Sequence, residues 1–351
     1  MGQTLQATWR RRAKRLAISG GLEAAFLLRR AGAMKAARGR GAIFTLHHVR
    51  PHVPKIIAPN AHLEITPEFL DSAIRSLKAE GYRFVALTDI PALLAEPTQA
   101  QPFAAFTLDD GYRNNAEHAL PVFARHAVPF TVFVTSGFAD RTHSIWWETL
   151  VELLNTTSQL TFDFGDGHQH LDLSTPMQKI EAFDRFCTLL PGPNEAAMVA
   201  RLDETARSSG INPLGMTANL TMAEDELQVL LAHPLAALGA HTVSHAALAH
   251  LNAAEARLEI SMSADRIEAM TGKRPMTLAY PYGDSNAASL REFQLARELG
   301  FVAGVTTRPG VLGPQAQAEP FCLPRISLNG YYQKARYVAA LASGIPFRMK
   351  R

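Results

Sequence analysis

Short apolar runs, each bounded by polar residues, glycine or proline, recur along the chain and predict strands at 42–47, 83–88, 103–108, 129–134, 235–240, 276–280 and 300–306. The stretches between them carry helix-start chemistry. Thr66 followed by Pro67 predicts an N-cap and first-turn pair, opening a helix that Gly81 closes. Thr221 with Glu224, and Asn252 with Glu255, have the spacing at which a cap side chain and a carboxylate satisfy each other's backbone donors. Such alternation of strand and helix predicts parallel strands with helices packed outside them.

One interval is too long for that rhythm. Between Asp110 and His241 lie 130 residues. The part from about 146 to 222 includes Gly165-Asp166-Gly167, Pro191-Gly192-Pro193 and a helical Glu195–Arg207 run, and reads as a mostly helical insertion. Long insertions of this kind commonly shape a cleft.

Composition and charge divide the chain further. With 351 residues, 47% hydrophobic and 19% charged, it can bury the core of one large domain. Cys187 and Cys322 are the only cysteines and lack metal-site spacing, which excludes a cysteine-built metal centre and fits either a reducing compartment or cysteines that do not matter to folding. Residues 1–40 hold ten Lys or Arg against Glu23 alone, a local charge of +9; the whole chain carries +3, so residues 41–351 carry −6.

The same leader holds Leu5, Trp9, Leu16, Ile18, Leu22, Phe26, Leu27 and Leu28, predicting a basic amphipathic helix. Such a helix either lies on an anionic membrane or packs on the body with a solvated basic face. Charges interrupt every apolar stretch of it, unlike a secretory signal, so the chain is expected in the cytoplasm, with peripheral contact at the inner membrane surface under the first alternative. No run of eighteen apolar residues spans a membrane, and an acidic body without a binding motif argues against nucleic acid. The expected organisation is a basic segment 1–40, a body 41–330 and a helical tail 331–351.

Three runs carry the chemistry. Thr107-Leu108-Asp109-Asp110-Gly111 sets two carboxylates at the end of a strand, where alternation turns neighbouring side chains apart. His241-Thr242-Val243-Ser244-His245 sets two imidazoles at i and i+4. Asp110, His241 and His245 together would give an oxygen and two nitrogens around a divalent ion with coordination positions left open, and Asp109 would stay free as a base. Taken singly, the first run also reads as an ordinary turn, and the second as two core or solvated histidines. The third run, Leu278-Ala279-Tyr280-Pro281-Tyr282-Gly283, ends an apolar stretch in a rigid turn.

The order of these runs resembles that of the polysaccharide deacetylases, the NodB-homology carbohydrate esterases, from about Ile43 to Leu328. The resemblance implies a distorted (β/α)7-type barrel with its chemistry at strand C-terminal ends. It implies Asp109 as general base, Asp110, His241 and His245 as metal ligands, and the Tyr282 N–H as donor to an oxyanion. Tyr280 and Pro281 of the same turn are then expected on the substrate side. Trp146 and Trp147 could stack on a sugar ring, the alternative being one core and one rim residue.

Two departures stand out. Many members carry an arginine where this chain has Ala279, and a late histidine where it reads Leu323-Pro324-Arg325-Ile326-Ser327-Leu328. A branch resembling the poly-N-acetylglucosamine deacetylases takes its acid histidine from the first strand, which aligns His47 with the general acid, Leu46 with that branch's tyrosine, and leaves His48 as a neighbour. Arg325 could supply the positive partner that Ala279 cannot, or form an ordinary ion pair.

The implied activity is metal-dependent hydrolysis of N-acetyl groups on an amino-sugar glycan, as in a chitooligosaccharide deacetylase. Zinc is the first choice of ion, with cobalt, nickel or iron compatible. Hydrolysis of another amide or ester, and a non-catalytic carbohydrate-binding barrel, are the alternatives.

Overall fold

A computed structural model describes residues 2–96 and 101–349, with side chains described from Arg11 onward. Seven parallel strands close on themselves: β1 (Gly41–Leu46), β2 (Phe103–Leu108), β3 (Phe130–Val134), β4 (Ala236–Ala240), β5 (Thr277–Ala279), β6 (Ala303–Pro309) and β7 (Leu323–Ser327). Closure comes from β1, which pairs with β2 from Gly41–Phe103 to Leu46–Leu108, and with β7 at Phe44 and Thr45. A short strand, Arg83–Phe84, joins the start of β2 and is all that forms of the expected 83–88 run.

The period of two along each strand decides what faces where. Ala42, Phe44, Leu46, Ala104, Phe106, Leu108, Val132 and Leu238 pack outward against the helices. Their neighbours Ile43, Phe103, Ala105, Phe133, Ala279, Val305 and Leu323 fill a separate interior cluster. Carrying the inward parity past the strand ends reaches His47 after β1, Asp109 after β2 and His241 after β4. The same alternation that builds the core therefore delivers three of the expected site residues to one mouth.

Local signals set the helices. Thr66 Oγ1 accepts from the Phe69 N–H at 3.2 Å to open Pro67–Ala79, and Gly81, at φ 78°, ends it. Asn252 caps Ala253–Thr271 by accepting from the Ala254 and Glu255 N–H groups, while Glu255 accepts from Asn252 N–H. The Thr221 start is displaced: the helix is Glu224–Leu231, and Glu226 accepts from the Ala223 N–H. Thr221 instead takes two donors from Arg141, so its hydroxyl and carbonyl are engaged outside that helix.

β7 was not among the predicted strands, because Pro324 and Arg325 break its apolar run. Between Val305–Leu323 and Pro309–Arg325, β6 advances four residues while β7 advances two, a bulge that distorts the barrel beside Arg325.

The stretch after Ile145 is an added layer with a core of its own. Helices Trp146–Thr156, Pro176–Leu189, Glu195–Ser208 and Pro213–Leu220 surround an antiparallel hairpin, Gln159–Asp163 with His168–Asp172, that the sequence reading did not anticipate. Trp147, Leu150, Leu154, Phe162, Phe186 and Leu202 are buried together there.

At the other end of the chain, helix Gly2–Arg30 packs on Ala335–Ala342, with Leu22 and Ala25 buried and Glu23 holding Arg336 and Tyr337. The expected contributions of Leu5 and Trp9 lie outside the described side chains. Among the described residues no helix is long and apolar enough to cross a membrane.

Interior packing leaves no room at Gly239, where a Cβ would overlap the Phe133 ring and approach Thr277 Oγ1 at 2.9 Å. Gly239→Ala is therefore expected to lose about 1–3 kcal/mol of stability, seen as a lower urea midpoint with an unchanged m-value. An unaltered midpoint would mean that β4 relaxes freely.

Candidate active site

The two aspartates at the end of β2 are both buried and face opposite environments. Asp109 accepts from Arg325 Nη1 and Nη2, both at 2.7 Å, a bidentate pair sealed inside the barrel mouth. Arg325 is itself held by the Thr306 carbonyl at 2.9 Å and by Thr107 Oγ1 at 3.1 Å. Burial pushes the Asp109 carboxyl up, but the guanidinium overrides it and holds the group below the ordinary aspartate value.

Asp110 has neither oxygen hydrogen-bonded among the described residues. Its Oδ1 lies 3.5 Å from His241 Nε2 and 3.5 Å from His245 Nε2. The residues diverge because Asp110 takes a left-handed backbone, φ 73°, and not through strand alternation alone, since the strand ends at Leu108.

The two histidines come from the loop after β4. His241 Nδ1 bonds the Ala279 carbonyl at 2.7 Å, which makes Nδ1 the protonated nitrogen and leaves Nε2 a lone pair. Burial pushes His245 down to about 3, so its ring is neutral at ordinary pH. Glu259 fixes this loop by accepting from the Val243 and Ser244 N–H groups at 2.9 Å and from Ser244 Oγ at 2.8 Å.

Backbone strain concentrates here. Of seven described non-glycine residues in the left-handed region, Asp110, Thr242, His245 and Tyr282 belong to this site. Each costs on the order of 1–3 kcal/mol, which persists only where the surroundings over-determine it.

The ligand fit follows from these groups. A buried carboxylate without a donor and two imidazoles whose Nε2 atoms face it match an oxygen-and-nitrogen divalent site, and the three ligand atoms lie within 4.8 Å of one another. Tetrahedral bonds of ordinary length would separate ligands by roughly 3.4 Å, close to the two spacings at Asp110.

The family model of the polysaccharide deacetylases matches residues 96–181 and 205–304. The chain belongs to the polysaccharide deacetylase family. It is thus a hydrolase of amide bonds on a NodB-type barrel. Solved structures share the fold: the Streptococcus pyogenes deacetylase PplD in complex with acetate is 16% identical, with a TM-score of 0.54 over 82% of this chain and 92% of that one. IcaB from Ammonifex degensii is 15% identical, with a TM-score of 0.52 over 86% and 97% of the two chains. A polysaccharide deacetylase from Bacillus cereus is 13% identical, with a TM-score of 0.53 over 86% and 68%. No curated protein sequence matches the chain.

Other expected residues divide in two groups. His47 reaches the mouth, with Nε2 4.0 Å from Asp109 Oδ2 and its side chain 21% exposed. His48 points away and is fully buried, stacked on Tyr112 and hydrogen-bonded to the Asn114 side chain at 2.8 Å. Tyr282 sits in a left-handed turn, its carbonyl held by Thr307 Oγ1 at 2.6 Å, and its N–H has no partner among the described residues.

Tyr280 does not face a substrate. It is buried on Phe293 with its hydroxyl on the Phe321 carbonyl, because its position follows outward parity from Leu278. Pro281 is buried as well. Nor is either tryptophan a rim residue: Trp146 donates to Tyr282 Oη and Trp147 to Tyr112 Oη, both at 3.0 Å, and both indoles are buried behind the site.

Sequence reading missed Glu195. From the insertion it accepts from Tyr282 Oη at 2.5 Å and from the Ala247 N–H at 2.9 Å, and burial raises it to about 7. It lies 46 positions before His241, and no motif marks it.

Glu259 offers the cleanest test of how the loop is held. Glu259→Ala strands two backbone donors and is expected to weaken divalent-ion affinity about 10–100-fold, measured by competition with a chromogenic chelator. Affinity equal to that of the unaltered protein would show that the loop holds its shape unaided.

Proposed function

We propose that this chain is a metal-dependent deacetylase that hydrolyses the N-acetyl amide of an amino-sugar glycan, with zinc as the ion. The reading is carried by the asymmetry of two adjacent buried carboxylates. Asp109 is clamped by Arg325, while Asp110 faces two imidazoles with no donor of its own. A base and a ligand need those opposite environments.

Asp110, His241 and His245 would hold the ion, which when bound polarises an acetyl carbonyl and acidifies water. Asp109 takes the proton from the attacking water, and Arg325 keeps its carboxylate ionised and fixed in direction. The Tyr282 N–H donates to the oxygen on which charge develops, preorganised by its turn. His47 delivers a proton to the departing amine. Burial lowers its pKa, a shift that the nearby Asp110 and Asp109 carboxylates oppose without reversing. His48, enclosed between Tyr112, Asn114 and Glu148, holds the first strand in register.

Acetate release from a panel of N-acetylated oligosaccharides, before and after chelation and zinc return, tests the whole reading. Release that zinc restores supports it; turnover only of unrelated amides or esters would assign a different acyl substrate. His47→Ala is expected to lose about 10²–10⁴-fold in rate with metal retained, and less for an ester whose leaving group needs no proton. A deeper loss in His48→Ala would move the acid by one residue.

Arg325 predicts a pH effect of definite sign. Its positive charge holds Asp109 below the ordinary value, so activity persists into acid until that lowered pKa is crossed. In Arg325→Met burial is opposed only by the weaker pull of His241 and His47, the carboxyl rises, and the acid limb of kcat/KM should move to higher pH. A limb that stays in place, or moves to lower pH, rules Asp109 out as the base.

A further inference from the structure

The N-terminal helix Gly2–Arg30 has two apolar faces, and the fold uses one. The inner face, Leu22 and Ala25 with Phe26 beside them, is covered by the C-terminal helices. Its charges are committed to the body as well. Arg11 pairs with Asp184, Arg15 lies over the Tyr331 ring at 3.6 Å, Arg29 pairs with Glu80, and Glu23 holds Arg336.

The outer face remains. Ala13, Leu16, Ala17, Gly20, Leu27 and Leu28 are exposed at helical spacing, Leu16 by 73% and Leu27 by 63%. Arg12, Lys14 and Arg30, exposed and without ion-pair partners among the described residues, border this stripe. Beyond the helix, Lys35 and Arg38 are exposed too. A face of leucine and small residues edged by exposed cations that pair with no carboxylate among the described residues suits a surface that is apolar below and anionic above.

We propose that this outer face docks the enzyme on an anionic lipid bilayer, with Leu16, Leu27 and Leu28 in the acyl boundary and Arg12, Lys14 and Arg30 on lipid phosphates. A second copy of the chain is the competing occupant, and the charge argues against it: two such faces would bring like cations together. The inner contacts fix the helix to the barrel, so docking holds the catalytic body at a set orientation to the surface and does not tether it on a loose leader.

Sedimentation of the full chain with vesicles tests this. Phosphatidylglycerol-rich vesicles should bind the protein and pure phosphatidylcholine vesicles should bind it far less, and binding should fall with salt. Each basic residue near an anionic surface contributes roughly fivefold, so Arg12→Glu/Arg30→Glu should lose at least about tenfold. Leu16→Glu/Leu27→Glu should lose a comparable amount through the apolar stripe, with circular dichroism and hydrolysis of a soluble substrate unchanged. Equal binding by wild type and both variants overturns the proposal. So does a wild type that ignores vesicles and dimerises in light scattering, with the leucine variant monomeric.

Discussion

A carboxylate and a guanidinium sealed in the mouth of the barrel set the terms for everything around them. Burying Asp109 and Arg325 costs several kcal/mol per ion in desolvation, and attraction alone offsets that only with full hydrogen bonding. Here both carboxylate oxygens are bonded, and the guanidinium also reaches the Thr306 carbonyl and Thr107 Oγ1. Those partners require the β6 bulge, the inward parity of Thr107 and Asp109, and β7 beside β1. Removing either ion would leave the other buried and uncompensated, a loss of about 3–5 kcal/mol. The pair is therefore a constraint on the fold as well as on the chemistry.

The insertion acts on the site from outside the barrel. Trp146 and Glu195 meet at the Tyr282 hydroxyl, and Glu195 also takes the Ala247 N–H just beyond the histidine loop. The turn after β5 and the loop after β4 are thereby tied to one carboxylate on a helix of the added layer. Tyr282 has a left-handed backbone, with its hydroxyl held by Glu195 and Trp146 and its carbonyl by Thr307. Of the two tryptophans at the start of this layer, read as sugar-stacking or as one core and one rim residue, Trp146 supports the Tyr282 turn from behind and Trp147 is buried on Tyr112.

Much of this was legible in the sequence because it rests on period two. Six of the seven barrel strands followed from apolar runs, and Asp109, His241 and His47 fall on inward positions that those runs dictate. The same rule, applied to Leu278 and Tyr280, would have placed Tyr280 outward in the core; reading the turn as a motif obscured its parity. What escaped depends on contacts between distant segments. β7 contains proline and a buried arginine, so its composition argues against a strand until its partner Asp109 is known. Glu195 and Glu259 are ordinary helix carboxylates in sequence, and only their approach to Tyr282 and to the Val243–Ser244 amides distinguishes them. The turn at Asp110 was visible as Asp-Asp-Gly, but its left-handed backbone, which sends the Asp110 side chain away from Asp109, was not.

The absence of an arginine at Ala279 now has a physical account. A cation must meet the inward face of Asp109, and any inward position on a neighbouring strand could send one. At position 279 the chain spends its inward side chain on the small interior contact with Phe133 and Val305, and uses the carbonyl to fix the His241 tautomer. The guanidinium arrives from β7 instead, running through the barrel mouth past Thr107 to reach both carboxylate oxygens from within. Because the cation comes from inside, the rest of Oδ2 is left to the Thr45 hydroxyl, 3.5 Å away, and to His47, 4.0 Å away. On the proposed reading, a base clamped from below and an acid above it would share one substrate amide between them. β1, the strand that closes the barrel against β2 and β7, carries the His47 imidazole to the same carboxylate.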